Sequence, residues 1–182
     1  MNIAKAAEVP AVKYSKQRGI STFELVLVIG VFTAFVGLFA YRFRYLQEYA
    51  EKTAVEMTVL NIRTGLRYKM ADLMMQNRLY ELPGLLEENP VNWLEKPPLN
   101  YVGEASNSER EKVRPGNWYF DAGKKQLVYK LNLSDHFNWR GEGDPELRYE
   151  ATGLTQSVKR GDSATQAVVG IRLVQASDGH WF

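Results

Sequence analysis

The stretch QRGISTFELVLVIGVFTAFVGLFAYRFR, residues 17–44, decides how the rest of the chain is read. From Leu25 to Tyr41 it has no charged side chain. Counted from Ile20, about 22 residues at ~1.5 Å rise give ~33 Å of helix. That matches the ~30 Å hydrocarbon core of a bilayer. A secretory signal peptide has a shorter apolar region followed by small residues at the cut. Here Phe35, Leu38, Phe39 and Tyr41 run up to the charged segment instead, so the apolar run is expected to stay in the mature chain. One residue does not suit lipid. Glu24 lies at the start of the span, where a charged, unpartnered carboxylate costs a few kcal/mol or more.

Positive charge is concentrated ahead of this stretch. Before Ile20 stand Lys5, Lys13, Lys16 and Arg18 against Glu8, a surplus of +3, while the 182-residue chain carries +2. The remainder is therefore −1, and no broad basic face for nucleic acid follows from the total. Positive charge before a span predicts a cytoplasmic N-terminus and a C-terminal domain on the opposite side. The chain has no cysteine, which excludes a disulfide framework, a thiolate nucleophile and a cysteine metal site.

The helical pattern continues beyond the span. Phe43, Leu46, Ala50, Ala54, Met57 and Leu60 recur at three- and four-residue intervals, and Val55, Val59, Ile62 and Leu66 widen the stripe. Glu48 and Lys52 form a favourable i,i+4 pair. No proline occurs between Pro10 and Pro83. One helix is predicted from about Ile20 to Leu79, ~90 Å long at ~1.5 Å per residue. It is apolar all round in its first half and one-sided in its second, which must pack on the remaining chain.

Pro83-Gly84 ends that helix. A short helix near residues 89–94 and irregular chain follow, up to Asn117. Then Asn117–Asp121 and Gln126–Leu131 flank Ala122-Gly123-Lys124 as a hairpin, and Leu147–Ala151 and Ala167–Val174 read as two further strands. The fold class expected is α+β, a long N-terminal helix packed on a C-terminal antiparallel sheet. Trp118 is expected in the core together with Tyr119 or Phe120, and Trp139 and Trp181 at the surface.

Gly19-Ile20-Ser21-Thr22-Phe23-Glu24-Leu25 resembles the processing motif of type IV pilins and type II secretion pseudopilins. In that family a glycine precedes the cut, an apolar residue follows it, and a glutamate lies fifth in the mature chain. A basic leader, an apolar span and an amphipathic extension surround the motif in the same order. The resemblance implies a prepilin leader at 1–19, a membrane and assembly half of the helix at 20–41, an amphipathic half at 42–80 and a globular head at 81–182. It implies cleavage after Gly19 by a membrane prepilin peptidase, N-methylation of Ile20 as the new N-terminus, and pairing of Glu24 with the terminal amine of a neighbouring subunit. Its other partners would be membrane lipid, fellow pilin or pseudopilin subunits and the inner-membrane assembly platform, with no nucleic acid among them. The location implied is the bacterial inner membrane, crossed once, with the head periplasmic, or outside the cell if built into a pilus. Three departures point toward a minor pilin or pseudopilin, the first being a 19-residue leader longer than many in the family. Tyr41 stands where many members carry a proline, and the disulfide that closes a C-terminal loop in many main fibre subunits cannot form here.

Other chemistries have little to stand on. His136 and His180 fit no metal or triad spacing, and no enzyme activity or cofactor is expected. Asp135, Glu142 and Asp144 lie in a glycine-rich loop where clustered oxygens could take calcium, in a spacing that fits no defined calcium motif. The function expected is structural, a pilin-like filament subunit. The alternative is a membrane-anchored periplasmic binding or adhesion module that uses its aromatic residues to recognise DNA or a surface.

Overall fold

The computed structural model describes residues 19–106, 108–141, 143–160 and 163–181. One helix, α1, runs Thr22–Met75, and the chain divides into two units, Met1–Arg42 and Phe43–Phe182.

Ser21 starts the helix. Its hydroxyl accepts the Glu24 N–H at 3.2 Å and its carbonyl accepts the Leu25 N–H at 3.0 Å. A serine followed three residues later by glutamate is the capping-box pattern, which satisfies donors that the first turn would leave unpaired. The other end comes sooner than the expected Leu79. Asn77 takes a positive φ of 57°, and the Arg78 N–H closes back on the Leu73 carbonyl at 2.8 Å. This is a Schellman ending with asparagine in the left-handed position usually held by glycine. Residues Leu79–Leu86 and Pro90–Trp93 then form short 3₁₀ segments, the second at the place expected for a short helix.

In the second unit, α1 buries Glu48, Val55, Val59, Ile62, Leu66 and Leu73. This corrects the predicted stripe. The residues that widened it form the core, while Phe43, Leu46, Met57 and Leu60 are exposed. Two apolar stripes lie side by side on this helix, and only the position of the sheet decides which one is covered.

Seven strands follow: β1 Tyr101–Glu104, β2 Trp118–Asp121, β3 Gln126–Lys130, β4 Phe137–Asn138, β5 Glu146–Arg160, β6 Ser163–Gln175 and β7 His180–Trp181. Five form a sheet in the order β1-β2-β3-β5-β6, and β4 pairs with β7 in a separate two-stranded sheet. The fold class is α+β, but the main sheet is mixed rather than purely antiparallel. β1 runs parallel to β2, since residues 105–117 cross over and return the chain in the same direction. The other neighbours are antiparallel. The predicted hairpin is β2–β3, and β5 and β6 extend the other two predicted strands.

The core lies between α1 and one sheet face. Trp118 is 1% exposed, with its ring 4.9 Å from that of Tyr129 and 6.0 Å from that of Tyr149. Tyr119 and Phe120 are both buried, one on each face. Trp181, expected at the surface, is 7% exposed because β7 lays it edge-on against Phe137, 5.1 Å away. Trp139 is half-buried, its ring stacked on Phe137 with centroids 6.3 Å apart. The opposite face of the main sheet holds a small cluster of Ala105, Tyr119 and Val128.

Burial pushes the Tyr149 hydroxyl up to about 12, from an ordinary 10, with Arg63 pulling the other way. Burial likewise raises Tyr129, whose hydroxyl donates to Glu51 at 3.0 Å. These raised values stabilise the fold fully below pH 10, and the contribution is lost as pH climbs through the folded-state values. A two-unit shift corresponds to about 3 kcal/mol for Tyr149. The guanidinium midpoint of the detergent-solubilised chain should therefore be flat across neutral pH and fall steeply between about pH 10 and 12. A midpoint that stays level through that window would contradict this burial.

Candidate functional site

The residues singled out at the processing motif sit at the start of α1. Gly19 and Ile20 precede the helix, and Ile20 is 72% exposed. A Cβ at Gly19 would have nothing within 4 Å, so the backbone there is open on that side. Glu24 is in the first turn of α1, and its side chain is exposed. Its place as the third residue of a capping box was legible in Ser21-x-x-Glu24 but was not drawn from the sequence.

All described residues from Gly19 to Gln47 are exposed. Among them are large apolar side chains such as Phe23, Phe32, Phe35, Leu38 and Phe39. α1 contains a window long and apolar enough to cross a membrane, with none of it buried inside the chain. The polar groups in this window are satisfied locally, as where the Thr33 hydroxyl donates to the Ile29 carbonyl at 2.8 Å. That is the requirement lipid imposes on a backbone and its hydroxyls. A continuous apolar surface of this size needs a cover of lipid or protein.

Further along α1, two glutamates grip the segment that leads to β4. Glu48 is 1% exposed and accepts the His136 N–H at 2.9 Å, while its other oxygen meets His136 Nδ1 at 2.8 Å. A carboxylate only accepts, so Nδ1 carries the hydrogen. The edge of Tyr45 rests on that imidazole, with centroids 5.4 Å apart. Glu51 accepts the N–H groups of Asn132 at 2.7 Å and Leu133 at 3.0 Å, besides the Tyr129 hydroxyl. Beside them Arg44 pairs with Asp135 at 2.9 Å. His136 lies at the surface just ahead of β4, the surface or strand-end position expected of it, and it is also the partner of a buried carboxylate 88 positions away, a distance over which no local signal exists. His180 is exposed in β7, with Nδ1 3.4 Å from the Asp178 carbonyl.

Two of the calcium candidates are engaged with cations. Asp135 pairs with Arg44, and Asp144 is 3.9 Å from Lys130. Glu142 lies outside the described residues. Among the described residues no group of three or more His, Cys, Asp or Glu side chains could hold a metal ion.

Both faces of the second half of α1 are thus defined. One is pinned to the sheet and the 132–136 segment. The other presents Leu46, Tyr49, Met57, Leu60 and Tyr68, each at least half exposed. The chain matches no family model, no curated protein and no solved structure.

Proposed function

We propose that this chain is a structural subunit, a minor pilin or pseudopilin, of a type IV pilus or a type II secretion pseudopilus. It is made as a membrane prepilin and cut after Gly19 on the cytoplasmic side. It is methylated at Ile20 and drawn from the inner membrane into a filament by packing of α1 against other subunits. The observation that carries this reading is the sequence Gly19–Leu25 at the start of a helix whose apolar first half is exposed throughout.

The physical case for Glu24 rests on charge. A carboxylate in lipid is costly, and a cationic amine beside it makes both charges cheaper. The new amine at Ile20 would supply that charge, either within the chain one turn away or from a neighbour. A buried polar pair of this kind also fixes axial register between helices. The exposed stripe from Leu46 to Tyr68 would serve the same packing beyond the membrane, with the sheet setting the outer surface.

Glu24 also falls at the glutamate position of the Ser21-x-x-Glu24 capping-box pattern, and substitutions separate that role from the charge. Glutamine keeps the reach and the hydrogen bonding of the box but not the charge. Under the pairing account, Glu24→Gln and Glu24→Ala are both cleaved normally and both enter sheared filament fractions at a tenth of the wild-type level or less, roughly the effect of ~1.4 kcal/mol or more per contact. Immunoblots of membrane and filament fractions read the result. Wild-type incorporation of Glu24→Gln would reduce Glu24 to a helix cap.

A further inference from the structure

The main sheet ends at β6, and no strand covers that edge. The Ala176 N–H donates to the Arg148 carbonyl at 2.8 Å, so alternation turns the N–H and C=O groups of Ile171, Leu173 and Gln175 away from β5. Two side chains of α1 reach them. Arg63 Nε donates to the Leu173 carbonyl at 3.2 Å, and the Ile171 N–H donates to Met70 Sδ at 3.3 Å. A thioether is a weak acceptor on a flexible side chain. Arg63 is exposed, and water can take its place. Among the described residues the outward Leu173 N–H and Ile171 carbonyl have no backbone partner. Free edges are usually blunted by proline, a bulge or a covering segment. From Gly170 to Gln175 the strand has no proline, and the register shift in its pairing lies farther on, at Leu154–Thr155 of β5.

The flank of this edge is cationic. Arg63, Arg67 and Met70 follow one another along one side of α1, and Arg172 stands between Ile171 and Leu173 on β6. All three arginines are exposed, and none pairs with a carboxylate among the described residues. Lys52 and Glu56 continue the same side of α1. Glu150 lies diagonal to Arg172 and accepts from the Gln126 amide at 3.1 Å. Four cations against two carboxylates leave a surplus of two. That surplus disfavours a second copy, because β6 paired with another β6 sets Arg172 beside its own counterpart.

We infer that the free edge of β6 is a docking site for an extended acidic segment of a partner protein, which adds to the sheet as a further strand. A backbone carbonyl of that segment replaces Met70 Sδ at the Ile171 N–H, and a backbone N–H replaces Arg63 at the Leu173 carbonyl. Its carboxylates meet Arg67, Arg172 and the released Arg63. Main-chain bonds supply the affinity and the arginines the preference. The inference is independent of the filament reading.

Fluorescence anisotropy with the detergent-solubilised full chain tests it. The probe is a labelled, N-acetylated, C-amidated peptide that alternates valine and glutamate, set against the same peptide with lysine for glutamate. The glutamate peptide should bind saturably and the lysine peptide at least tenfold more weakly. N-methylation of one alternate set of its amides should abolish binding and of the other set should not, since only one set faces β6. Arg67→Glu and Arg172→Glu, both at exposed positions, should each weaken binding about fivefold. Bound peptide should slow exchange of the Leu173 amide. No saturable binding, equal binding of the lysine peptide, equal effects of the two methylations, or unchanged affinity in both arginine variants would overturn the assignment. A Leu173 amide whose protection grows with chain concentration in the absence of peptide would place a second copy on the edge and overturn it as well.

Discussion

Glu48→Ala lowers the unfolding free energy of the head by about 3 kcal/mol, because it strips a buried acceptor from two donors at once. The carboxylate is 1% exposed and takes both the backbone N–H and the ring Nδ1 of His136. Alanine leaves the amide without its acceptor and opens space beneath the imidazole. Glu48→Gln retains one acceptor oxygen and should lose roughly half as much. Guanidinium titration of the solubilised chain, followed by tryptophan fluorescence, measures both. Amide exchange should localise the damage, with protection at His136 and Phe137 falling before that of β2 and β3. A loss below ~0.5 kcal/mol for alanine would mean that water replaces the clasp freely.

Gly65→Ala is the second substitution with a large expected effect, and intrinsic propensity predicts its sign wrongly. In a helix interior, alanine is favoured over glycine by about 1 kcal/mol. Here a Cβ would lie 2.2 Å from the Trp93 carbonyl oxygen and 2.9 Å from its carbon. Those are backbone atoms of the Pro90–Trp93 segment and cannot swing aside. Either α1 or that segment must shift, and overpacking of this kind typically costs 1–3 kcal/mol. We expect a net loss of about 2 kcal/mol, measured in the same titration. A gain in stability would show that the segment is not held against the helix.

Gly65 also marks where the sequence was and was not legible. A glycine on the buried side of a long helix signals close approach, but the chain that approaches cannot be named from it. The strands β2 and β3 were legible as apolar and aromatic runs about a turn, and β5 and β6 only in part, over Leu147–Ala151 and Ala167–Val174. β1 was not, since Tyr101-Val102-Gly103-Glu104 is short, lies among prolines and holds a glycine at φ 102°. Its parallel pairing depends on a crossover that local pattern does not encode. β4 and β7, two residues each, exist because the chain before β5 meets the chain after β6, and they bury Trp181. The helix end was misplaced by four residues because Asn77, not the later proline, breaks it. At the candidate site, the span and Ser21-x-x-Glu24 are written locally. The Glu48 and Glu51 clasp depends on pairings between distant segments.

The filament reading stands or falls on processing, and one measurement reaches it most directly. It is the intact mass of the protein extracted from membranes of cells with and without a functional prepilin peptidase. The account predicts a chain that begins at Ile20, lighter by residues 1–19 and heavier by one methyl group, only when the peptidase is present. A full-length, unmethylated chain in peptidase-positive cells would contradict it and leave a signal-anchored binding module in its place.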